Sequence, residues 1–369
     1  MDTRHTGRPR RECRNRSGPL EERHSARHHV DAAKRHRAEK PERPPPTQLP
    51  MYDLSTIEDP VKSKRVGIMH ATLAYLHAYE KELKIVAASN VARWADLTAH
   101  KPSSERTPRR VLLVSGDMLE TAGKLTKEYG KVFAVLNMAN AVYPGGGFAT
   151  GSAAQEENMM RRTNIVPKLN DPTKLRWDEH DNPIYTKSMT DLINAKNGVV
   201  SCDDPVEMIS PRQLHIVVRD REVFTDDDLG YRFLTQHEVF PFYELRAAAV
   251  NLSRYKTVTL SEKQREYIHN EMYHRINAQL WTLVQRGIRH VVLSAFGCGA
   301  FGNDPSKIAT IYAELLKQPP YTDAFDVVAF SIFYAGFGAN NAFVFQEAFK
   351  KSSLSFECYP GGYPTSPVV

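Results

Sequence analysis

Along residues 60–333 the apolar positions switch repeatedly between two periods, short continuous runs and three-to-four-residue stripes. Short, largely apolar runs bounded by turn formers predict buried strands: Arg110–Val114 (RVLLV), Val132–Asn137 (VFAVLN), His290–Leu293 (HVVL) and Phe325–Phe333 (FDVVAFSIF). Shorter strand candidates stand at Gly198–Val200 and His215–Val218. The stripes predict helices over His70–Leu83, Leu119–Tyr129, Ala153–Arg162, Ser261–Arg286 and Pro305–Lys317. In the longest of these, Ile268, Met272, Ile276, Leu280 and Leu283 make one core-facing row. Asp304 before Pro305 is a cap followed by a proline at the first helical position. Strands separated by helices point to one three-layer α/β/α domain with a parallel or mixed sheet, in which ligands bind where strand ends lead into helices.

The chain has 369 residues and a net charge of +6. Residues 1–50 carry 13 Lys/Arg against 7 Asp/Glu, so the other 319 residues are neutral overall and present no electrostatic footprint for a nucleic-acid duplex. The same fifty residues are rich in Arg, His and Pro and poor in large apolar side chains, which predicts a disordered basic tail. The basic run Lys34–Arg37 is ordinary for such a tail, and Pro44–Pro46 reads as a stiff linker. The expected organisation is a tail over 1–50, a catalytic domain over 51–355 and a C-terminal tail over 356–369. No apolar run reaches 18 residues and no secretory signal opens the chain, so a cytoplasmic or nuclear protein is expected. Cys13, Cys202, Cys298 and Cys358 are far apart, which argues against a disulfide framework and a zinc site. His70, His215 and His274 lack metal-ligand spacing, and no cofactor or metal is expected.

Two glycine loops carry the chemistry. Gly297–Gly302 (GCGAFG) matches a dinucleotide fingerprint, but the following strand ends at Ile332–Tyr334 without the required acid, and only 67 residues remain. The nicotinamide reading therefore fails. What survives is a backbone that can approach a pyrophosphate closely. The other loop places Gly145–Gly147 seven residues before Gln155–Glu157. Taken alone, two adjacent carboxylates are an acidic first turn on a solvated helix; joined to three consecutive glycines and a second anion loop, they point to chemistry.

That signature, set in LNMANAVYPGGGFATGSAAQEENMMRR, resembles the poly(ADP-ribose) glycohydrolases in their microbial (bacterial and fungal) form. VVLSAFGCGAFGNDPSKIA and FDVVAFSIFYAG add to the resemblance, which spans roughly residues 65–350 with a divergent middle at 165–240. It implies a macrodomain fold and hydrolysis of ribose–ribose O-glycosidic bonds of poly(ADP-ribose), on protein-linked chains, by an expected monomer, in the setting of DNA damage. By the same resemblance Glu157 is general acid and base, Glu156 holds ribose hydroxyls and Gln155 supports the loop. Asn140 would face the distal ribose, and Gly145, Gly146 and Gly147 would touch ribose and pyrophosphate. Gly297, Cys298, Gly299, Ala300, Phe301 and Gly302 would wrap the pyrophosphate from the other side, with Phe301 against the terminal ribose.

Asp117 would accept the adenine amino group, although turn aspartates are more often caps; Tyr334 or Phe337 would stack on adenine. Cys298 reads more simply as a small loop residue than as a nucleophile. Two other readings share the fold: a hydrolase of mono-ADP-ribosylated protein or O-acetyl-ADP-ribose, and a non-catalytic ADP-ribose reader. A helix N-terminus lowers a carboxyl pKa whereas a general acid needs it raised, so burial and the like-charged neighbour must act the other way.

Overall fold

A computed structural model describes residues 56–99, 109–169, 171, 173–180, 182–207, 210, 213–223, 228–255, 259–334 and 340–359. The expected basic tail, residues 360–369 of the expected C-terminal tail, and Phe337 lie outside these residues.

The chain enters through α1 (Pro60–Ala99), whose first turn is set by Pro60 at the first helical position and by the Asp59 carboxylate, which accepts from the amides of Val61 (2.9 Å) and Lys62 (3.1 Å). Its buried residues Val66, Met69, Thr72, Leu76, Leu83, Ala87, Asn90 and Trp94 recur at helical steps. The stripe read at 70–83 is the middle of this longer helix. Next come β1 (Arg110–Ser115), α2 (Met118–Tyr129) and β2 (Ala134–Met138), then α3 (Gln155–Arg162) and α4 (Ile165–Lys168). The divergent middle holds the hairpin β3 (Leu175–Trp177) and β4 (Pro183–Tyr185), α5 (Lys187–Ile193), β5 (Ser201–Cys202) and β6 (His215–Val217). It is followed by β7 (Phe240–Ala247), α6 (Glu262–Gln285), β8 (His290–Leu293), α7 (Pro305–Leu316), α8 (Tyr321–Ala324), β9 (Val327–Ile332), α9 (Asn341–Lys351) and β10 (Glu357–Cys358).

The sheet runs β10-β1-β9-β8-β2-β7-β5, with β6 also pairing β7. Every pair from β10 to β7 is parallel, whereas β5 and β6 lie antiparallel to β7. The mixed α/β architecture read from the sequence is therefore what the chain adopts. Helices α2 and α3 each pack on α1, and α6, α7, α8 and α9 form a separate group. Between them the strands are nearly all apolar and inaccessible, as expected where both faces of a sheet are covered. Phe330 centres one half of the core, with the rings of Tyr312, Phe345 and Phe349 at centroid distances of 5.1, 6.0 and 5.0 Å.

Three sequence readings change here. The strand expected at Gly198–Val200 is displaced to Ser201–Cys202, because Gly198 takes a left-handed φ of 73° that no strand accommodates. The folded domain continues past residue 355, since Leu112 and Leu113 of β1 register with Glu357 and Cys358 of β10. Strand β7, beside β2 in the sheet, went unread: PFYELRA carries a proline and two charges, which do not look like a buried run until Glu244 and Arg246 are seen to neutralise each other (2.8 Å). No described helix is long and apolar enough to cross a membrane.

Candidate active site

Strands β2 and β8 are adjacent and parallel, so the glycine loops that follow them leave the same, carboxyl edge of the sheet. The segments after β1, β7 and β9 leave that edge too. Topology thus gathers Asp117, Asn140, Gly145–Gly147, Gly297–Gly302 and Tyr334, which are scattered over more than 200 positions of chain.

Helix α3 is held on β2 by Gln155. Its Oε1 accepts from the Met138 amide (2.9 Å) and its Nε2 donates to the Leu136 carbonyl (3.0 Å), closing the end of the strand onto the first turn of the helix. This fixes the next two residues. Glu156 is 3% exposed and Glu157 8%, contrary to the solvated first turn that two carboxylates alone would suggest. One oxygen of each is held by a loop amide: Asn140 N–H donates to Glu156 Oε2 (2.7 Å) and Gly147 N–H to Glu157 Oε1 (2.8 Å). The other oxygens, Glu156 Oε1 and Glu157 Oε2, are buried without a hydrogen-bond partner among the described residues. A bare buried acceptor is costly, and native proteins keep few of them.

Gly146 lies directly against the pair. It has a φ of 60°, and a β-carbon there would fall 2.4 Å from Glu157 Oε1 and 3.2 Å from Glu156 Oε2. The triple glycine therefore lets the backbone lie on the carboxylates. Asn140 turns the chain into this loop, its Oδ1 accepting from the amides of Val142 (2.8 Å) and Tyr143 (2.9 Å). Its side-chain oxygen is thus engaged in the turn, while its backbone amide serves Glu156.

Burial pushes the Glu156 carboxyl up to about 8. The Arg246 guanidinium and the Asn140 amide pull against the rise, and the charges of Glu157 and Glu244 add to it. The folded value lies above the unfolded one, so the folded state binds the extra proton between about pH 4.5 and 8, and stability falls as pH rises through that window. Glu156→Gln, which mimics the protonated form, is expected to raise Tm above the wild type by about 5 °C at pH 8.5. The gain should vanish near pH 4.5 in a thermal-unfolding series.

The second loop is pinned by Asn303, whose Nδ2 donates to the carbonyls of Val250 (2.8 Å) and Gly297 (3.1 Å). Gly297 takes φ 75° and packs so closely on the segment after β7 that a β-carbon would lie 2.4 Å from that of Ala249. The first amides of α7 are taken by the Asp304 carboxylate, so what this loop offers an anion is its own backbone. The amides of Gly299, Ala300 and Phe301 make no hydrogen bond among the described residues. Phe301 is half-buried against the core and its carbonyl accepts from Leu252 N–H (2.8 Å). Cys298 is half-buried, and burial raises its thiol pKa, which suits the reading as a loop residue.

Asp117 is engaged. It caps α2 through the Glu120 amide (2.8 Å) and pairs with Arg162 (2.8 Å), whose side chain is 2% exposed. The cap reading describes its position, and the ion pair was not foreseen. Asp117→Asn keeps the capping oxygen but leaves the buried guanidinium without its counter-charge. A loss of ~3 kcal/mol in urea unfolding is expected. Tyr334 is half-buried just past β9.

Polar residues of α3 unnoticed in the sequence hold the site from behind. Arg161 and Arg162 are essentially inaccessible. Arg161 donates to the Tyr231 hydroxyl (3.0 Å) and the Ser152 carbonyl (2.8 Å), and that hydroxyl donates to Glu222 (2.7 Å). Arg65 of α1 closes on the same Glu222 (2.7 Å). A helix reading QEENMMRR can be buried only because its polar groups find partners on α1, on the loop before it and on the segment after β6.

Fold and site together define a class: an α/β domain with a glycine-covered carboxylate pair at the carboxyl edge of a largely parallel sheet. Residues 66–193, which contain the pair and its loop, match the family model of the catalytic domain of microbial-type PARG, poly(ADP-ribose) glycohydrolase. The resemblance read from GGG and QEE is thereby borne out. No curated protein matches the chain. Among solved structures, the Thermomonospora curvata poly(ADP-ribose) glycohydrolase bound to the inhibitor ADP-HPD is 24% identical, with a TM-score of 0.51 over 78% of this chain and 99% of that one. The Deinococcus radiodurans poly(ADP-ribose) glycohydrolase in complex with ADP-ribose is 20% identical, with a TM-score of 0.49 over 74% and 92%. At 24% identity the Thermomonospora likeness bears on the fold alone.

Proposed function

We propose that this chain is a poly(ADP-ribose) glycohydrolase in which Glu157 is the general acid and base. One observation carries the reading: two adjacent carboxylates are buried, each anchored through one oxygen by a loop amide, with the other oxygen bare. Hydrolysis of a ribose–ribose bond needs that division of labour. Glu157 Oε2 gives a proton to the leaving hydroxyl as the bond from the anomeric carbon to oxygen breaks, through an oxocarbenium-like state. The same oxygen then takes a proton from the attacking water, which adds to the anomeric carbon. Glu156 Oε1 accepts from ribose hydroxyls. Asn140, Gly145, Gly146 and Gly147 form one wall around the distal ribose, and the free amides of Gly299, Ala300 and Phe301 receive the pyrophosphate. Asp117 Oδ1 is taken by the α2 cap and by Arg162, and Oδ2, on a side chain 19% exposed, is the oxygen that accepts from the adenine amino group.

The substrate is taken to be poly(ADP-ribose) on modified proteins, and the match of residues 66–193 to the microbial-type catalytic domain supports that choice. A pure reader of ADP-ribose gains nothing from two buried carboxylates beside an anionic ligand. The decisive experiment incubates the protein separately with poly(ADP-ribose) and with mono-ADP-ribosylated protein and follows free ADP-ribose. Release from the polymer is expected. Release from the mono-modified protein alone would replace this reading with that of a mono-ADP-ribosyl hydrolase, and binding without release would make the chain a reader.

A further inference from the structure

A run of hydrogen bonds leads from the middle of the sheet to the Glu156 carboxylate and passes through the divergent hairpin. On β7, Arg246 grips Glu244 through Nε (2.9 Å) and Nη2 (2.8 and 3.0 Å), and Glu244 Oε1 also accepts from Asn137 of β2 (2.6 Å). Both charges are buried, with side-chain exposures of 7% and 9%. The remaining arm of Arg246, Nη1, donates to the Tyr185 hydroxyl on β4 (2.5 Å). Tyr185 is 3% exposed, and its backbone N–H donates to the Val142 carbonyl (2.8 Å). Val142 N–H donates to Asn140 Oδ1, and Asn140 N–H to Glu156 Oε2.

A buried ion pair adds little stability over apolar side chains of the same volume, so its place beside the acidic pair calls for another reason. Glu156 is faced by Glu157 from its own helix, by the Asn140 amide from the loop, and by Arg246 and Glu244 from β7. Of these only Arg246 is cationic. Its position is fixed on one side by Glu244 and on the other by Tyr185.

We propose that Tyr185 and Arg246 are positioning residues, and that the β3–β4 hairpin is a brace that fixes the Asn140–Tyr143 turn and, through it, the Glu156 carboxylate. The inference rests on the reading of Glu156 as the group that holds the substrate ribose. It assigns a role to a part of the chain where the sequence resemblance is weakest. Tyr185→Phe removes the anchor of Arg246 Nη1 while keeping the ring that fills the core, and Arg246→Lys keeps the charge while giving up the fork that spans Glu244 and Tyr185. Either change loosens the turn over Glu156 and admits water to it.

The test follows the Glu156 carboxyl by NMR in full-length protein carrying 13C-labelled glutamate, its resonance assigned by its loss in Glu156→Gln. Polymer cleavage is measured in parallel. In Tyr185→Phe and Arg246→Lys the titration midpoint is expected to move by about one unit or more, since both the burial of Glu156 and the placement of its one facing cation change, and kcat/KM on poly(ADP-ribose) is expected to fall by about tenfold. Ile184→Val, a core change on the same strand outside the run of bonds, should alter neither. A folded Tyr185→Phe or Arg246→Lys protein with wild-type midpoint and wild-type kcat/KM overturns the brace, and so does failure of both variants to fold, which would make the pair a stability element. If the wild type cleaves no polymer, the proposed activity fails, while the midpoint alone still decides the brace.

Discussion

Replacing Glu157 by Ala is expected to lower release of ADP-ribose from poly(ADP-ribose) by about 10³-fold, the range that general acid–base groups supply. Affinity for ADP-ribose, followed by calorimetry, should stay within a few-fold of wild type. The separation follows from geometry. Glu157 Oε1 is tied to the Gly147 amide, so the side chain cannot swing to share in substrate binding without giving up that bond. The proton must therefore pass through Oε2, which is buried and bare. Glu157→Gln keeps the shape and the bond to Gly147 and should lose activity to the same extent, showing that the loss is one of proton transfer and not of loop support. Equal activity in wild type and Glu157→Ala would remove Glu157 from the chemistry.

The second large effect is expected at Gly146, which bears no functional group. With φ at 60° an added side chain is strained, and its β-carbon would fall 2.4 Å from Glu157 Oε1 and 3.1 Å from Glu157 Cδ. Gly146→Ala must displace the loop, the carboxylate or both. A stability loss of ~2 kcal/mol in urea unfolding is expected from the backbone alone. A fall in kcat/KM of about 100-fold is expected from displacement of the acid, since misplacement by an ångström is enough for that. Gly198→Ala separates the two effects. That glycine has φ 73° with nothing within 4 Å of an added β-carbon, so it should show a comparable strain cost with unchanged activity. A Gly146→Ala protein as active as wild type would mean that the loop does not rest on the carboxylates.

Much of the framework was legible in the chain because local patterns and burial agree. RVLLV, VFAVLN and HVVL could only be strands covered on both faces, and each lies in the parallel part of the sheet. The long stripe from Ile268 to Leu283 and the Asp304–Pro305 start are local signals that tertiary contacts had no reason to overrule. What escaped were one strand and the burial of a helix already read, both with residues that look wrong for their place. Strand β7 has charges at Glu244 and Arg246, and α3 ends in two arginines that are nonetheless inaccessible. In each case a partner far along the chain makes burial tolerable: Asn137 and Tyr185 for the strand, Asp117 and Tyr231 for the helix. No window of sequence contains both halves of such a bargain.

The chain by itself determined which residue types stand at which intervals: glycines before a Gln-Glu-Glu run, a second glycine loop after a buried strand, an Asp304 cap before Pro305 at the start of α7. Those features act through the backbone within one turn or loop, so short stretches of sequence suffice to specify them. Only the tertiary structure decided that the two carboxylates leave water, that a loop amide takes one oxygen of each, and that burial with Arg246 and Glu244 nearby sets the Glu156 carboxyl near 8. The reason is that desolvation and Coulomb interactions depend on distance in space and on what surrounds a group. Position along the chain fixes neither until the sheet has brought β2, β7 and β8 side by side.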